Sequence, residues 1–210
     1  MRLLDLFSGA GGSAVGYHRA GFDEIVGVDI VNQPRYPFQF VKADALEFCA
    51  SFGAGFDAIH ASPPCQRWSM YSRNLGTAHL HEDFIIRTRA TLINVGRPYV
   101  IENVEGAPLM NAIRLCGSSF GLRVQRHRRF ESNVFLFSSQ CEHDPSVLTV
   151  PVYGHGSPQW HRKRWGRNVR LSEKKDAMGI QYMTGWELSQ AIPPAYCEFI
   201  GAQLLAALRS

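Results

Sequence analysis

The chain has 210 residues, 45% of them hydrophobic and 19% charged, with a formal net charge of +4 and five cysteines. Such a length and balance fit one soluble globular domain with a full core. No apolar run approaches membrane-spanning length and strand-like sequence follows Met1 almost directly, which argues against a membrane protein or a secreted one. An odd, scattered set of cysteines fits a reduced, cytoplasmic protein rather than a disulfide scaffold. Charge is unevenly placed: residues 123–170 hold nine Arg or Lys against three Asp or Glu, a local +6 that leaves −2 for the remainder. A near-neutral body with one basic segment is the footprint of a protein that meets a polyanion.

In chain order, Arg2–Phe7 reads as a first strand, 8–12 as a glycine-rich turn, and Ser13–Ala20 as a helix ended by Gly21. Gly9, Gly11 and Ala14 satisfy the G-x-G-x-x-G/A pattern of a nucleotide-binding turn, in which backbone amides point at a ligand. Glu24–Val28 is a second strand ending in Asp29, twenty residues past Gly9, where a carboxylate can bond the two hydroxyls of a ribose. Residues 40–43 lead to Asp44 at the end of a third strand. Phe56–His60 is a fourth, stopped by Pro63 and Pro64, which deliver Cys65 where strand hands over to loop. Arg67–His81 reads as a polar, mobile loop, Phe84–Val95 as an amphipathic helix, and Pro98–Ile101 as a fifth strand ending in Glu102. With a strand order of 3-2-1-4-5, Cys65 and Glu102 face each other across one crevice, a thiol nucleophile beside a proton donor.

The basic segment opens with Arg123–Phe130, a strand that places Arg126 and Arg128 on one face and Gln125, His127 and Arg129 on the other. Residues 132–137 continue the alternation. Trp160 and Trp165 flank His161, Arg162, Lys163 and Arg164, a mixture suited to phosphate contacts and base stacking. Cys141, His143, His155 and His161 can be drawn together as a zinc site, but their spacing matches no recognised ligand pattern and no metal is expected. From Asp176 to Leu208 the chain is again helical, with a stripe of Phe199, Ile200, Leu204, Leu205 and Leu208 that folds back on the first lobe.

These motifs, in this order, resemble those of the DNA cytosine-5 methyltransferases over most of the chain. Residues 5–12 resemble the family's S-adenosylmethionine turn, and 63–66 (Pro-Pro-Cys-Gln) its nucleophile motif. Residues 102–104 (Glu-Asn-Val) resemble the glutamate motif and 126–128 (Arg-His-Arg) the arginine motif. The resemblance implies an α/β, Rossmann-like S-adenosylmethionine-dependent methyltransferase sheet with a small target-recognition insertion. It divides the chain into a catalytic, cofactor-binding domain of residues 1–122 plus 176–210 and a small basic target-recognition region of residues 123–175. It implies methyl transfer to C5 of cytosine in a flipped-out base, with Cys65 adding to C6, Glu102 protonating N3, and Arg126 and Arg128 steadying the ring and keeping Cys65 ionised. The implied cofactor set is Phe7, Ser8, Gly9, Gly11, Gly12, Asp29, Ile30, Asp44, Ala45 and Pro63, with Phe7 against the adenine, Asp29 on the ribose and Asp44 on the exocyclic amine. The implied partner is double-stranded DNA, met by a monomer, and the compact build resembles phage-encoded members.

The sequence departs from the family pattern at three places. Val124 stands where the arginine motif begins with Gln, with Gln125 one residue late. Residues 191–196 (Ala-Ile-Pro-Pro-Ala-Tyr) replace a Gly-Asn-Ser turn over the cofactor. The segment between Glu131 and Lys175 is short for a target reader, which predicts a short or relaxed recognition site, since each bidentate base contact supplies only about 1–3 kcal/mol of discrimination. Four other readings compete. Ser62-Pro63-Pro64 resembles the motif of amino-methyltransferases, but those need an aromatic residue where Cys65 stands. A cytosine-5 enzyme acting on RNA fits the basic segment equally. An inactive copy that binds DNA or cofactor is motivated by the altered 191–196 turn, and an NAD enzyme rests on the glycine turn alone.

Overall fold

The computed structural model describes residues 1–153, 163 and 165–209. Its centre is β1 (Arg2–Leu6), whose side chains alternate between the two faces of a sheet. Leu3 packs into one hydrophobic layer and Leu4 and Leu6 into the other. Both layers are covered by helices, so β1 is apolar nearly throughout, as expected of a strand buried on both sides. Asp5 is the exception.

Beside β1 lie β2 (Glu24–Asp29) and β4 (Ala58–Ala61), and beyond them β3 (Gln39–Lys42) and β5 (Tyr99–Asn103), all parallel. β7 (Arg128–Ser132) runs antiparallel to β5, and β6 (Ile113–Leu115) antiparallel to β7. The full order is β3-β2-β1-β4-β5-β7-β6. The expected order of the first five strands is therefore found, with the sheet carried two strands further.

One face is covered by α1 (Gly12–Ala20) and α7 (Pro194–Arg209), the other by α2 (Ala45–Phe52) and α4 (Phe84–Val95). α1 begins after Gly11 and ends at Gly21, each in the left-handed region at φ 84° and 113°. Between α1 and α7 the backbones approach so closely that a Cβ on Gly16 would collide with Pro194 and stand 2.7 Å from Cys197 Cβ. The expected fold-back of the C-terminal stripe is thus observed, and Tyr196 and Cys197 join it as fully buried members.

Four sequence expectations change. Residues 67–81 are not irregular loop throughout: α3 (Met70–Asn74) and a 3-10 turn at Ala78–Leu80 lie within them. Strand structure begins only at Arg128, not at Arg123, because Val150 N–H donates to Arg123 O and holds that stretch to a loop instead of a strand. It stops at Ser132, whose hydroxyl accepts from Val134 N–H and turns the chain, so 133–137 form no strand. Finally, Arg128–Ser132 lie inside the main sheet although sequence reading had placed them in the recognition region. α5 (Leu171–Met178) and α6 (Gly185–Gln190) pack with Val124, Val150 and Val152 in a small third core. Among the described residues no helix is long and apolar enough to cross a membrane.

Candidate active site

The carboxyl ends of β1, β2, β4 and β5 open into a cleft of about 570 Å³, a typical size for a small-molecule site. At one end stand the glycine turn and Asp29; at the other, Cys65, Glu102 and Arg128. Phe7 leaves β1 at φ 55°, an uncommon conformation for a bulky side chain. Its wall of the cleft is completed by Ile30, which is 67% exposed, so two apolar surfaces stand ready for a flat ring. Asp29 is fixed by accepting from Gly9 N–H at 3.0 Å and Val31 N–H at 2.9 Å. Asp44 caps α2, accepting from Leu46 and Glu47 N–H through Oδ1 alone, which leaves Oδ2 for a ligand amine.

Every residue of the expected cofactor set lines this cleft except Gly11. Gly11 packs against Pro37 and Tyr36, and its role is the left-handed turn into α1. Residues 191 and 192 also line the cleft, so the altered turn keeps its place there. Sequence reading missed Trp186, Glu187 and Gln190, which close the same wall. Glu187 is anchored by Arg35 through two bonds of 2.8–2.9 Å, a link across the chain that no local motif announces.

The reactive end is built by β4 and β5. Asn103 Nδ2 donates to Pro63 O at 2.8 Å and pins the proline turn that carries Cys65. Below it, buried His60 bonds Tyr17 Oη at 2.9 Å and Ser62 Oγ at 2.8 Å. Burial pulls His60 down to about 3, so the imidazole is neutral and serves to orient Ser62. Glu102 is 5% exposed, and burial raises its carboxyl above the ordinary range against the pull of Arg128, Arg126 and a Ser62 hydrogen bond. Arg128 Nε lies 2.9 Å from Glu102 Oε1, yet that oxygen has no partner in hydrogen-bond geometry. The contact is therefore a charge contact that leaves a buried acid oxygen free to bond a ligand.

Burial also pushes the Cys65 thiol up; Arg128 pulls it down and Glu102 pushes it up again. Both arginines lower the thiol, the direction expected of them, while desolvation, the largest influence, raises it. Arg126 does not line the cleft. Its guanidinium donates to Val152 O and Ser189 O, tying the basic segment to α6, and burial pulls it down to about 9, still charged at neutral pH. Its Nε is buried without a hydrogen-bond partner, and its charge lowers both Cys65 and Glu102.

The basic footprint is also smaller than the composition implied. Arg126 and Arg128 are used as above, Arg129 donates to Ala107 O and Leu109 O, and Arg167 is paired with Glu173. Trp165 donates to Thr149 O and packs on the third core, so its ring serves folding. His155, Trp160, His161, Arg162 and Arg164 lie outside the described residues.

Comparison with known proteins bears on this geometry. Residues 1–112 match the family model described as C-5 cytosine-specific DNA methylase. The Type II methyltransferase M.FnuDI of Fusobacterium nucleatum is 37% identical over 75 residues, which are 33% of this chain and 22% of that protein. M.XorII of Xanthomonas oryzae is 27% identical over 177 residues, covering 76% of this chain and 38% of that one. The chain thus spans well under half the length of these two relatives, whereas M.HgiGI of Herpetosiphon aurantiacus matches at 28% identity over 52% of this chain and 94% of its own. Among solved structures, a prophage-encoded E. coli chain aligns with TM-score 0.64 at 17% identity over all of both chains. The S. pombe Dnmt2 methyltransferase aligns with TM-score 0.63 at 15% identity over 100% of this chain and 99% of that one. At those identities the likeness establishes the Rossmann-like methyltransferase fold. Because the family model spans more than half of the chain and takes in both Cys65 and Glu102, this protein belongs to the C-5 cytosine-specific DNA methylase family.

Proposed function

We propose that this chain methylates C5 of cytosine in double-stranded DNA, using S-adenosylmethionine and a transient Cys65–C6 bond. The observation that carries the reading is the meeting of Cys65, Glu102 and Arg128 at one end of a cleft whose other end is the glycine turn. The cleft's residues fit the cofactor: Phe7 and Ile30 for the adenine ring, Asp29 for the ribose hydroxyls, Asp44 Oδ2 for the exocyclic amine, and the turn at 8–12 with Pro63 along the remainder. When bound, S-adenosylmethionine supplies an electrophilic methyl group on a sulfonium centre.

Cytosine C5 and C6 are out of reach in a stacked duplex, so the base is extruded into the reactive end. Glu102, whose carboxyl burial raises above the ordinary range, gives a proton to N3, and Oε1, which makes no hydrogen bond, is the available bonding atom. Cys65 gives its proton to water as its sulfur bonds C6, and the C5–C6 electron pair moves to C5. After the methyl group is on C5, loss of the C5 proton to water, departure of Cys65 as thiolate and return of the N3 proton to Glu102 restore the ring. Arg128 balances the charge on Glu102 and on the developing thiolate. Burial raises the Cys65 thiol, so its deprotonation is the step that the Arg128 charge assists.

We assign target reading to the part of residues 133–175 that follows β7, and self-protection of phage or host DNA within restriction-modification as the setting. The fold shared with a prophage-encoded chain supports that setting. Covalent trapping tests the chemistry. A duplex carrying 5-fluorocytosine, mixed with protein and S-adenosylmethionine, is expected to give a denaturant-resistant complex that Cys65→Ser abolishes. Trapping on structured RNA but on no duplex overturns the DNA assignment, and cofactor binding without any adduct overturns the enzymatic reading.

A further inference from the structure

Away from the cleft, four side chains that the proposed reaction does not use converge beyond the β6–β7 edge. Cys116 follows β6, His127 precedes β7, and Cys141 and His143 lie in the irregular stretch after it. Their ligand atoms all lie within 4.8 Å of one another. Cys116 Sγ is 3.3 Å from His143 Nε2, and Cys141 Sγ is 3.1 Å from His143 Nε2 and 3.4 Å from His127 Nε2. Tetrahedral zinc with ordinary Zn–S and Zn–N bonds separates its ligands by about 3.3–3.8 Å. Thiol–imidazole hydrogen bonding alone accounts poorly for the cluster, since Cys141 has one S–H for two imidazole nitrogens and His143 Nε2 meets two sulfurs. We propose that Cys116, His127, Cys141 and His143 form a structural zinc site.

The surroundings are those of a ligand set. His127 Nδ1 lies 3.3 Å from Glu105 Oε2, the carboxylate–histidine arrangement that fixes which ring nitrogen is left for a metal. Ser118 Oγ donates to Cys116 Sγ at 3.3 Å, an outer hydrogen bond that orients a ligand sulfur. The two imidazoles stack 15° from parallel, presenting Nε2 on the same side. Binding releases the two thiol protons, and two thiolates with two neutral imidazoles hold Zn²⁺ in a site of net charge zero. Two sulfurs and two nitrogens in this arrangement select zinc over harder cations. The consequence is positional: His127 sits between Arg126 and Arg128, so the metal would staple the 138–150 stretch to the sheet edge and hold the backbone that aims Arg128 at Glu102.

Elemental analysis of the full chain, purified under reducing conditions from zinc-supplied cells, tests this independently of methyl transfer. About one zinc per chain is expected, lost in Cys141→Ser and in His143→Ala. Cobalt(II) added to metal-free wild-type protein is expected to give thiolate charge-transfer bands and intense visible bands of a tetrahedral S2N2 site, a readout that does not depend on the variants folding. Glu105→Gln is expected to keep the stoichiometry and weaken zinc affinity about 10–100-fold. No bound zinc together with no cobalt spectrum overturns the site, as does a Cys116–Cys141 disulfide in the freshly isolated protein.

Discussion

Asp5 stands fully buried in the middle of β1, accepting from Ser13 Oγ at 3.0 and 3.1 Å and from Tyr36 Oη at 3.0 Å. Burial raises it from the ordinary 3.8 to about 7, against the pull of those two hydroxyls and with a further push from Asp29. A carboxyl whose folded value is raised binds more protons folded than unfolded. Its stabilising effect is therefore complete below the unfolded value and lost as pH climbs to the folded one. At about 1.36 kcal/mol per unit, the shift costs about 4 kcal/mol across the whole window and about 2–3 kcal/mol between about pH 5 and pH 8. Asp5→Asn keeps the shape without the charge, and both hydroxyls can accept from the new amide as readily as they donate. Urea unfolding of both proteins at several pH values should show the variant gaining on wild type by that amount toward pH 8. Other groups, Glu102 included, are common to both proteins and cancel in the difference. Parallel stability curves from pH 5 to pH 8 would refute the reasoning.

Glu102→Gln should lower the methylation rate constant about 10²–10⁴-fold, since an amide cannot give N3 its proton, while calorimetry finds S-adenosylmethionine affinity unchanged. Gly16→Ala should lower stability by about 1–3 kcal/mol, because its Cβ meets Pro194 and Cys197 on α7; an unchanged urea midpoint counts against that close approach. Arg89 donates to Glu131 at 2.6 and 2.7 Å with both side chains largely buried, so Arg89→Ala should cost about 3–5 kcal/mol in the same assay by stranding the carboxylate. Sequencing of methylated random duplexes should return a short or relaxed site, and discrimination over six or more base pairs would contradict it.

The parallel half of the sheet was legible because each of its strands ends at a residue with a marked character: Gly9, Asp29, Asp44, Cys65 and Glu102. α4 was legible from its apolar spacing, and the structure adds the residues that cap it, Asp83 and Gly96. β6 left no trace because three residues carry no period, and α3 was hidden by a polar surface that reads as loop. Arg126 and Arg128 are the same residue type two positions apart. Only the tertiary partners, two backbone carbonyls for one and Glu102 for the other, distinguish them. The four-residue cluster at the sheet edge was half visible. Cys141 and His143 drew notice, but their partners come from positions 116 and 127, which a search for compact ligand spacing in the basic segment passes over.

Glu102 pairs with Phe130 across the β5–β7 ladder, so Arg128 reaches the acid from the neighbouring strand two residues away. Arg129, of opposite alternation, is bonded to the carbonyls of residues 107 and 109. A one-residue deletion inside β7 would exchange these two arginines, whereas a change of length after Ser132 leaves both where they are. The strand thus sets the register of the acid–cation pair by itself, while Cys141 and His143 tie the segment that follows back to the same sheet edge. Changes in the proposed reading segment that keep Cys141 and His143 can therefore vary what is read without shifting Arg128 from Glu102.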